Sequence, residues 1–297
     1  MKTLRLMASR HSVFYSPLLA TFAGGFLQEE GLDASYRPVP AGRSVGEFLA
    51  SGEIDVTQSA VSYSWSVLEK GGTPPAVNFA HVNVRDGFFI AARSAQAGFT
   101  FERLLSGRLM YVHGGQPEAM LRYALHRNGV DLSSVTGVDA GNTEQMMDAF
   151  RRGEADYFHE QAPYPQQLEH EGIAHVVAAV GEAIGPVSFS TLAATPAWLK
   201  EPDAVKFMRA FRKARAWVQG APAAEIAQRL AYLFPNISEH ARIKGIEAYQ
   251  RLGCWEGDPE IRPEHYEAAL DVFQHAGLIS RRYPSAGIVV RPPDVRG

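Results

Sequence analysis

The sequence predicts an α/β protein of two similar lobes, each a largely parallel sheet flanked by helices, hinged by two crossing strands and followed by a helical tail. Three observations carry this prediction. First, one strand-loop-helix pattern occurs twice. Arg5-Leu6-Met7 with His11 in the next loop recurs as Arg108-Leu109-Met110 with His113. Val39-Pro40-Ala41-Gly42-Arg43-Ser44 recurs as Val138-Asp139-Ala140-Gly141-Asn142-Thr143, and Leu49-Ala50-Ser51-Gly52-Glu53-Ile54-Asp55 as Phe150-Arg151-Arg152-Gly153-Glu154-Ala155-Asp156. Second, apolar strand-like runs alternate with helical spacing, the signature of parallel strands joined by crossover helices. Third, the chain beyond Pro202 is helical in pattern and contains no third copy.

Taken in order, Thr3 to Met7 is a short apolar strand. Ser16 to Glu29 has helical spacing at Leu18, Leu19, Phe22 and Phe26, closed by Gly31. Leu32 to Val39 is the next strand. Ser44 is a suitable N-cap for a helix to Ser51, which Gly52 ends before the strand Ile54 to Thr57. Ser62 to Glu69 is a third helix, and Ala76 to Val82 a strand. Gly87 to Arg93 is the strand that leaves this unit. The second copy then runs from about Phe99 to Val180, with a helix from Glu118 to Arg127 opened by Pro117, Thr143 capping the next helix, and Tyr157 to Glu160 as its third strand. Gly185-Pro186 and the strand Val187 to Thr195 form the return path. Pro202 to Gln219, Ala223 to Leu233, Ser238 to Leu252 and Pro263 to His275 are amphipathic helices. The expected division is a discontinuous first lobe, 1–85 plus 185–297, and a second lobe, 86–184.

Composition excludes several classes. A formal charge of −3, without a basic stripe, argues against nucleic acid as a partner. Cys254 is the only cysteine, so the chain has no internal disulfide and no Cys-x-x-Cys pair. No run of eighteen apolar residues spans a bilayer. Lys2, Arg5 and Arg10 ahead of Val13 to Phe22 have the outline of an export signal, but the same stretch supplies the first strand and helix of copy one. It also aligns with the internal segment Arg108 to Gly129. The expectation is a chain that carries no export signal, cytoplasmic if Met1 is the native start. A monomer without cofactor or metal is expected.

In open α/β sheets ligands sit beyond the carboxyl ends of the strands. That rule selects Arg10 to Tyr15, Pro40 to Ser44, Gln58 to Ser62, His113 to Gln116, Gly141 to Thr143 and His159 to Pro163, with His81 beside the crossing. From the first lobe the nominated ligand-binding residues are His11, Phe14, Tyr15, Gly42, Arg43, Ser44, Gln58, Ser59 and His81. From the second they are Gly114, Gly115, Gln116, Asn142, Thr143, His159 and Glu160. Gly42-Arg43-Ser44 and Gly141-Asn142-Thr143 bring a glycine and polar side chains to helix starts, where free N–H groups favour a polar acceptor. Gly114-Gly115-Gln116 lets backbone approach a ligand closely. Glu160 can accept from an amino group or protonated ring nitrogen, and Phe14, Tyr15 or Tyr164 supply stacking faces. Arg43 opposite Glu160 gives a cleft of mixed charge, suited to a zwitterionic, heterocyclic or modestly charged ligand. The strand-end histidines lack the His-x-x-x-His spacing of a metal pair. No phosphate loop, nucleophile elbow, zinc-protease helix or dinucleotide fingerprint is present.

Four segments carry a family resemblance: Phe22-Ala23-Gly24-Gly25-Phe26-Leu27-Gln28-Glu29-Glu30-Gly31-Leu32-Asp33, Leu49 to Asp55, Arg152 to Asp156 with Glu160 and Pro163, and Ser190-Thr191-Leu192-Ala193-Ala194-Thr195. With these the chain resembles the type 2 periplasmic-binding-protein superfamily, in the branch of ABC-transporter receptors for alkanesulfonates, taurine, nitrate and thiamine pyrimidine precursors. That branch also holds the eukaryotic thiamine-pyrimidine synthase. The resemblance implies the two-lobed type 2 fold, a cleft that closes on a small organic molecule, a partner ABC permease and a periplasmic location. The synthase's cysteine-rich motif is absent. The alternative is a cytoplasmic enzyme on the same scaffold, a decarboxylase, desulfinase or precursor synthase.

Overall fold

A computed structural model of the chain describes residues 3–40 and 42–293. Lys2 and Ala41, which figure in the sequence patterns above, lie outside the described residues, as do 294–297 at the end of the expected first lobe. Among the described residues ten strands form two five-stranded sheets. They are β1 (Leu4–Ala8), β2 (Ala34–Pro38), β3 (Val56–Ser59), β4 (Val77–Asn83), β5 (Phe88–Ala92), β6 (Arg108–Tyr111), β7 (Thr136–Val138), β8 (Tyr157–Gln161), β9 (His175–Ala179) and β10 (Ser190–Ala194). The sheet orders are β2-β1-β3-β10-β4 and β7-β6-β8-β5-β9.

These two orders are one topology written twice. In the first sheet β1 is parallel to β2 and β3, and β10 runs antiparallel to β3 and β4. In the second, β6 is parallel to β7 and β8, and β5 runs antiparallel to β8 and β9. The fourth position of each sheet is therefore filled by the strand that has just crossed from the other. The largely parallel sheets expected from the sequence are present, and the crossing strands are the ones that run against the rest. The Val187 N–H donates to the Val84 carbonyl (2.9 Å), tying the two crossings side by side.

The repeated residues are scaffold devices. Asp55 accepts the backbone N–H of Arg5 (2.8 Å) and its guanidinium (2.7 and 3.0 Å), while Asp156 accepts the backbone N–H of Arg108 (2.8 Å). Each aspartate thus pins the start of its lobe's first strand to the start of its third. Gly52 and Gly153, at φ +69° and +90°, make the left-handed turn between helix and strand that a side chain would strain.

Several boundaries differ from the sequence expectation. The first long helix breaks at Gly24-Gly25 into Ser16–Ala23 and Phe26–Glu29, with Gly25 at φ +89°. The helix expected to open at Pro117 begins two residues earlier and spans Gly115–Arg127. In the second lobe Asn142, not Thr143, is the N-cap, in a reciprocal capping box with Gln145 that matches Ser44 with Glu47 in the first. The structural equivalent of Ser44 is consequently Asn142, one position from the sequence pairing. The short amide and the hydroxyl both suit a cap, so type alone did not separate them.

The tail helices Pro202–Gly220, Ala223–Arg229, Glu239–Arg251 and Pro263–His275 pack behind the crossings. The Tyr249 hydroxyl donates to the Gly87 carbonyl (2.8 Å) and accepts the Ala162 N–H (2.8 Å). Trp255 donates from its indole N–H to Asn83 (2.8 Å) and the Phe14 carbonyl (3.0 Å). Both residues are fully buried, and the main core runs through them from one sheet to the other.

Candidate functional site

A cleft lies between the carboxyl ends of β1 and β3 on one side and β8 with the helix Gly115–Arg127 on the other. One cavity of about 400 Å³, within the range of small-ligand sites, is lined from the first lobe by Ser9, Arg10, Tyr15, Arg43, Ser44, Gln58, Ser59 and Tyr63. The crossing strands contribute Phe88, Phe189 and Ser190, and the second lobe Gly115, Gln116 and Gln161. A second cavity of about 440 Å³ is lined by His11, Asn142, Thr143, Glu144 and Tyr164. The two share Ser9, Arg10, Val39 and Gln161.

Arg10 stands at their junction. Its Nη2 donates to both oxygens of Glu160 (2.7 and 2.8 Å), and its guanidinium lies 5.5 Å from the centre of the Phe88 ring. Burial is the largest single influence on Arg10 and acts to lower its pKa, but the charge and hydrogen bond of Glu160, with smaller contributions from Tyr15 and Tyr164, together outweigh it; the net shift is upward, so the guanidinium stays charged. Nε and Nη1 have no hydrogen-bond partner among the described residues. Glu160 is fully buried and also accepts the Thr143 hydroxyl (2.9 Å) and the Gln161 N–H (2.7 Å). Glu160 and Thr143 therefore serve the interlobe pair. The expected opposition of Arg43 and Glu160 is replaced by two separate pairs, since Arg43 bonds Glu47 in the first turn of the helix that follows it and lies over Phe48.

Other polar groups in the cleft are oriented by neighbours. Gln58 accepts the Ser9 N–H and hydroxyl (3.0 and 2.8 Å) and donates to the Ser59 carbonyl (3.0 Å). Gln116 accepts the Ser62 hydroxyl (2.7 Å) and donates to the Phe189 carbonyl (2.7 Å), spanning the cleft from the second lobe. The Gln161 amide nitrogen donates to the Tyr15 hydroxyl (3.2 Å). Burial pushes the Tyr15 pKa up to about 12, which keeps the phenol neutral at physiological pH.

Of the nominated residues, Tyr15, Arg43, Ser44, Gln58, Ser59, Gly115 and Gln116 line the first cavity, and His11, Asn142 and Thr143 the second. The others lie elsewhere. Phe14 is wholly buried against Tyr249 and Phe189. Gly42 shapes the loop at φ +75°, and Gly114 borders a separate recess with Glu118 and Arg122. His81 is buried toward the tail, with Nε2 on the Ser188 hydroxyl (2.5 Å) and its backbone N–H on the Pro259 carbonyl (2.6 Å). His159 is fully buried, stacks on Phe88 at 4.6 Å, and neither ring nitrogen has a partner. Burial, then the Arg10 charge, lowers its pKa to about 3. His11 has both nitrogens engaged: Nε2–H donates to the Leu233 carbonyl (2.7 Å) and Nδ1 accepts from Tyr36 (3.0 Å).

Arg10, Gln161, Tyr63, Phe88, Phe189 and Ser190 line the cleft without having been nominated. Arg10 and Gln161 do fall inside the strand-end segments selected from the sequence. What marks them is their pairing across lobes, with partners 150 and 146 residues away.

A family profile described as NMT1/THI5 like matches residues 14–225. The Bacillus subtilis (strain 168) protein YtlA is 28% identical over 281 residues, covering 92% of this chain and 83% of that protein. Among solved structures, the alkanesulfonate-binding protein SsuA from Xanthomonas axonopodis pv. citri, bound to MOPS, superposes with a TM-score of 0.72 at 18% identity. That alignment covers 97% of this chain and 98% of the other. The ligand-binding component of an ABC-type import system from Staphylococcus aureus gives a TM-score of 0.77 at 12% identity, covering 98% and 97%. The likeness to these structures shows the periplasmic-binding-protein fold, and the profile match over more than two thirds of the sequence places the chain in the NMT1/THI5-like family.

Proposed function

We propose that this protein is a solute-binding protein that captures a small organic ligand, aminopyrimidine-like, sulfonate-like or related, between its lobes for an ABC-type importer. The observation that carries the reading is the cavity of about 400 Å³ whose walls come from both sheets and both crossing strands, with Arg10 in its lining. A site built that way gains its full contact set when the lobes close. The lobes of this reading are 1–85 plus 185–297 and 86–184. The names of the sulfonate-binding and importer structures support the transport role, and the similar fold of the periplasmic aliphatic sulphonate binding protein SsuA from Escherichia coli supports the periplasmic setting. Among the described residues, no helix is long and apolar enough to cross a membrane. The enzyme alternative has less support, because His11 is engaged at both ring nitrogens and His159 is sealed below Phe88.

A thermal-shift screen of small sulfonates, aminopyrimidines and aromatic acids tests the proposal, followed by mass spectrometry of each stabilising compound. A ligand at 100 times its Kd stabilises the folded state by about 2.7 kcal/mol. Recovery of the compound unchanged supports the reading, and its conversion to product refutes it.

A further inference from the structure

Next to its cation the cleft holds a buried acceptor with no partner. Gln161 is 1% exposed and lines both cavities. Its amide nitrogen is taken by Tyr15, while its Oε1 has no hydrogen-bond partner. Such a group is costly to leave unmet, so a ligand that donates to it gains more than the bond itself. Arg10 borders the same two cavities and keeps N–H groups beyond those that Glu160 takes. Charge-assisted bonds from a guanidinium to an acid are the strong ones. The rings of Tyr15, Tyr63 and Phe189 line the same cavity, and Phe88, already packed against His159 and Arg10, adds to its apolar lining, a setting that suits another ring.

We propose that the cleft selects a single-ring aromatic acid carrying an N–H or O–H donor: the acid on Arg10, the ring against the aromatic walls, the donor on Gln161 Oε1. The inference rests on the solute-binding reading above and narrows its ligand. An alkyl sulfonate satisfies Arg10 but leaves Gln161 unmet and the aromatic walls unfilled. A neutral ring with a donor does the reverse. An organic cation meets Arg10 without relief, because the Glu160 carboxylate is fully buried and already bonded.

Titration calorimetry with six probes tests this. 3-Aminobenzoate, 4-aminobenzoate and 4-hydroxybenzoate have all three features. Benzoate lacks the donor, aniline the acid and methanesulfonate the ring. At least one of the first three should bind about tenfold or more tighter than each of the last three, the scale of leaving one buried polar group unpaired. Gln161→Leu should reduce that compound to the affinity of benzoate. The double variant Arg10→Met/Glu160→Gln, which leaves no carboxylate unpaired, should reduce it to the affinity of aniline while thermal melts show it folded. Methanesulfonate binding as tightly as any ring compound, a preference that survives both variants, or no binding by any probe overturns the inference. Tight binding of a non-aromatic solute would do so while leaving the solute-binding reading intact. Consumption of a bound probe would instead refute that reading.

Discussion

Removing the Arg10 guanidinium should destabilise the whole molecule, and restoring neutrality at Glu160 should undo most of the damage. In Arg10→Met the fully buried Glu160 carboxylate keeps the Thr143 hydroxyl and the Gln161 N–H but loses the one cation paired with it among the described residues. Breaking a buried pair from one side costs about 3–5 kcal/mol. Glu160→Gln should cost less, about 1–2 kcal/mol, because the amide still accepts hydrogen bonds and Arg10, 28% exposed, can turn to water. The double variant should return to within about 1–2 kcal/mol of the parent, giving a coupling energy of about 4 kcal/mol. Urea unfolding followed by tryptophan fluorescence measures each corner of the cycle, with Trp255 reporting from behind the crossings. A coupling below about 0.5 kcal/mol, with the double variant as unstable as the sum of the singles, refutes the claim that this pair ties the lobes.

Asp86, in the first crossing, is fully buried and has one unpartnered oxygen; burial pushes its pKa up to about 8, against the Phe88 N–H that favours the anion. Its contribution to stability is full below about pH 4 and declines as pH rises to about 8, since the folded state holds the proton longer than the unfolded chain. Asp86→Asn should flatten that decline in unfolding curves taken from pH 5 to 8, and an unchanged slope contradicts the assignment. His81 and His159, both lowered to about 3 chiefly by burial, act in the opposite direction. Stability is full above about pH 6.5 and falls on acidification, by up to about 1.4 kcal/mol per pH unit for each. His159→Leu should reduce the loss between pH 6 and 4, measured by thermal melts, whereas a loss as steep as in the parent excludes His159 as a source. Asn142→Ala should cost about 1 kcal/mol through its lost cap. Thr143→Val should instead unsettle Glu160 and shrink the Arg10–Glu160 coupling. A cycle left unchanged by Thr143→Val counts against its hydroxyl as a partner of Glu160.

Much of the fold was legible because its signals are local or repeated. Ser44 with Glu47 announces a helix start within four residues, and Gly52 and Gly153 announce the turns that follow. Asp55 and Asp156 recur because each does the same local task for its lobe. The cleft was harder to read. Strand-end position found the segments, yet within a segment adjacent residues point to opposite faces. On β8, Gln161 lines the cavity, Glu160 turns to Arg10 and His159 disappears beneath Phe88. A single sequence gives no sign of which of the three borders the cavity, because the answer depends on the strand packed against β8.

By itself the sequence determined the duplicated scaffold, the number and order of most elements, and the helical character of the tail. These follow from backbone propensity, side-chain period and turn chemistry acting over a few residues. Only the tertiary structure decided that Arg10 belongs to Glu160, that Arg43 belongs to Glu47 on the helix that follows it, that Asn142 is the cap which frees Thr143 for the buried carboxylate, and that Gln161 is left with an unmet oxygen. Charge pairing and burial are set by which groups the two crossings bring within about 3 Å, and electrostatic attraction carries no information about separation along the chain.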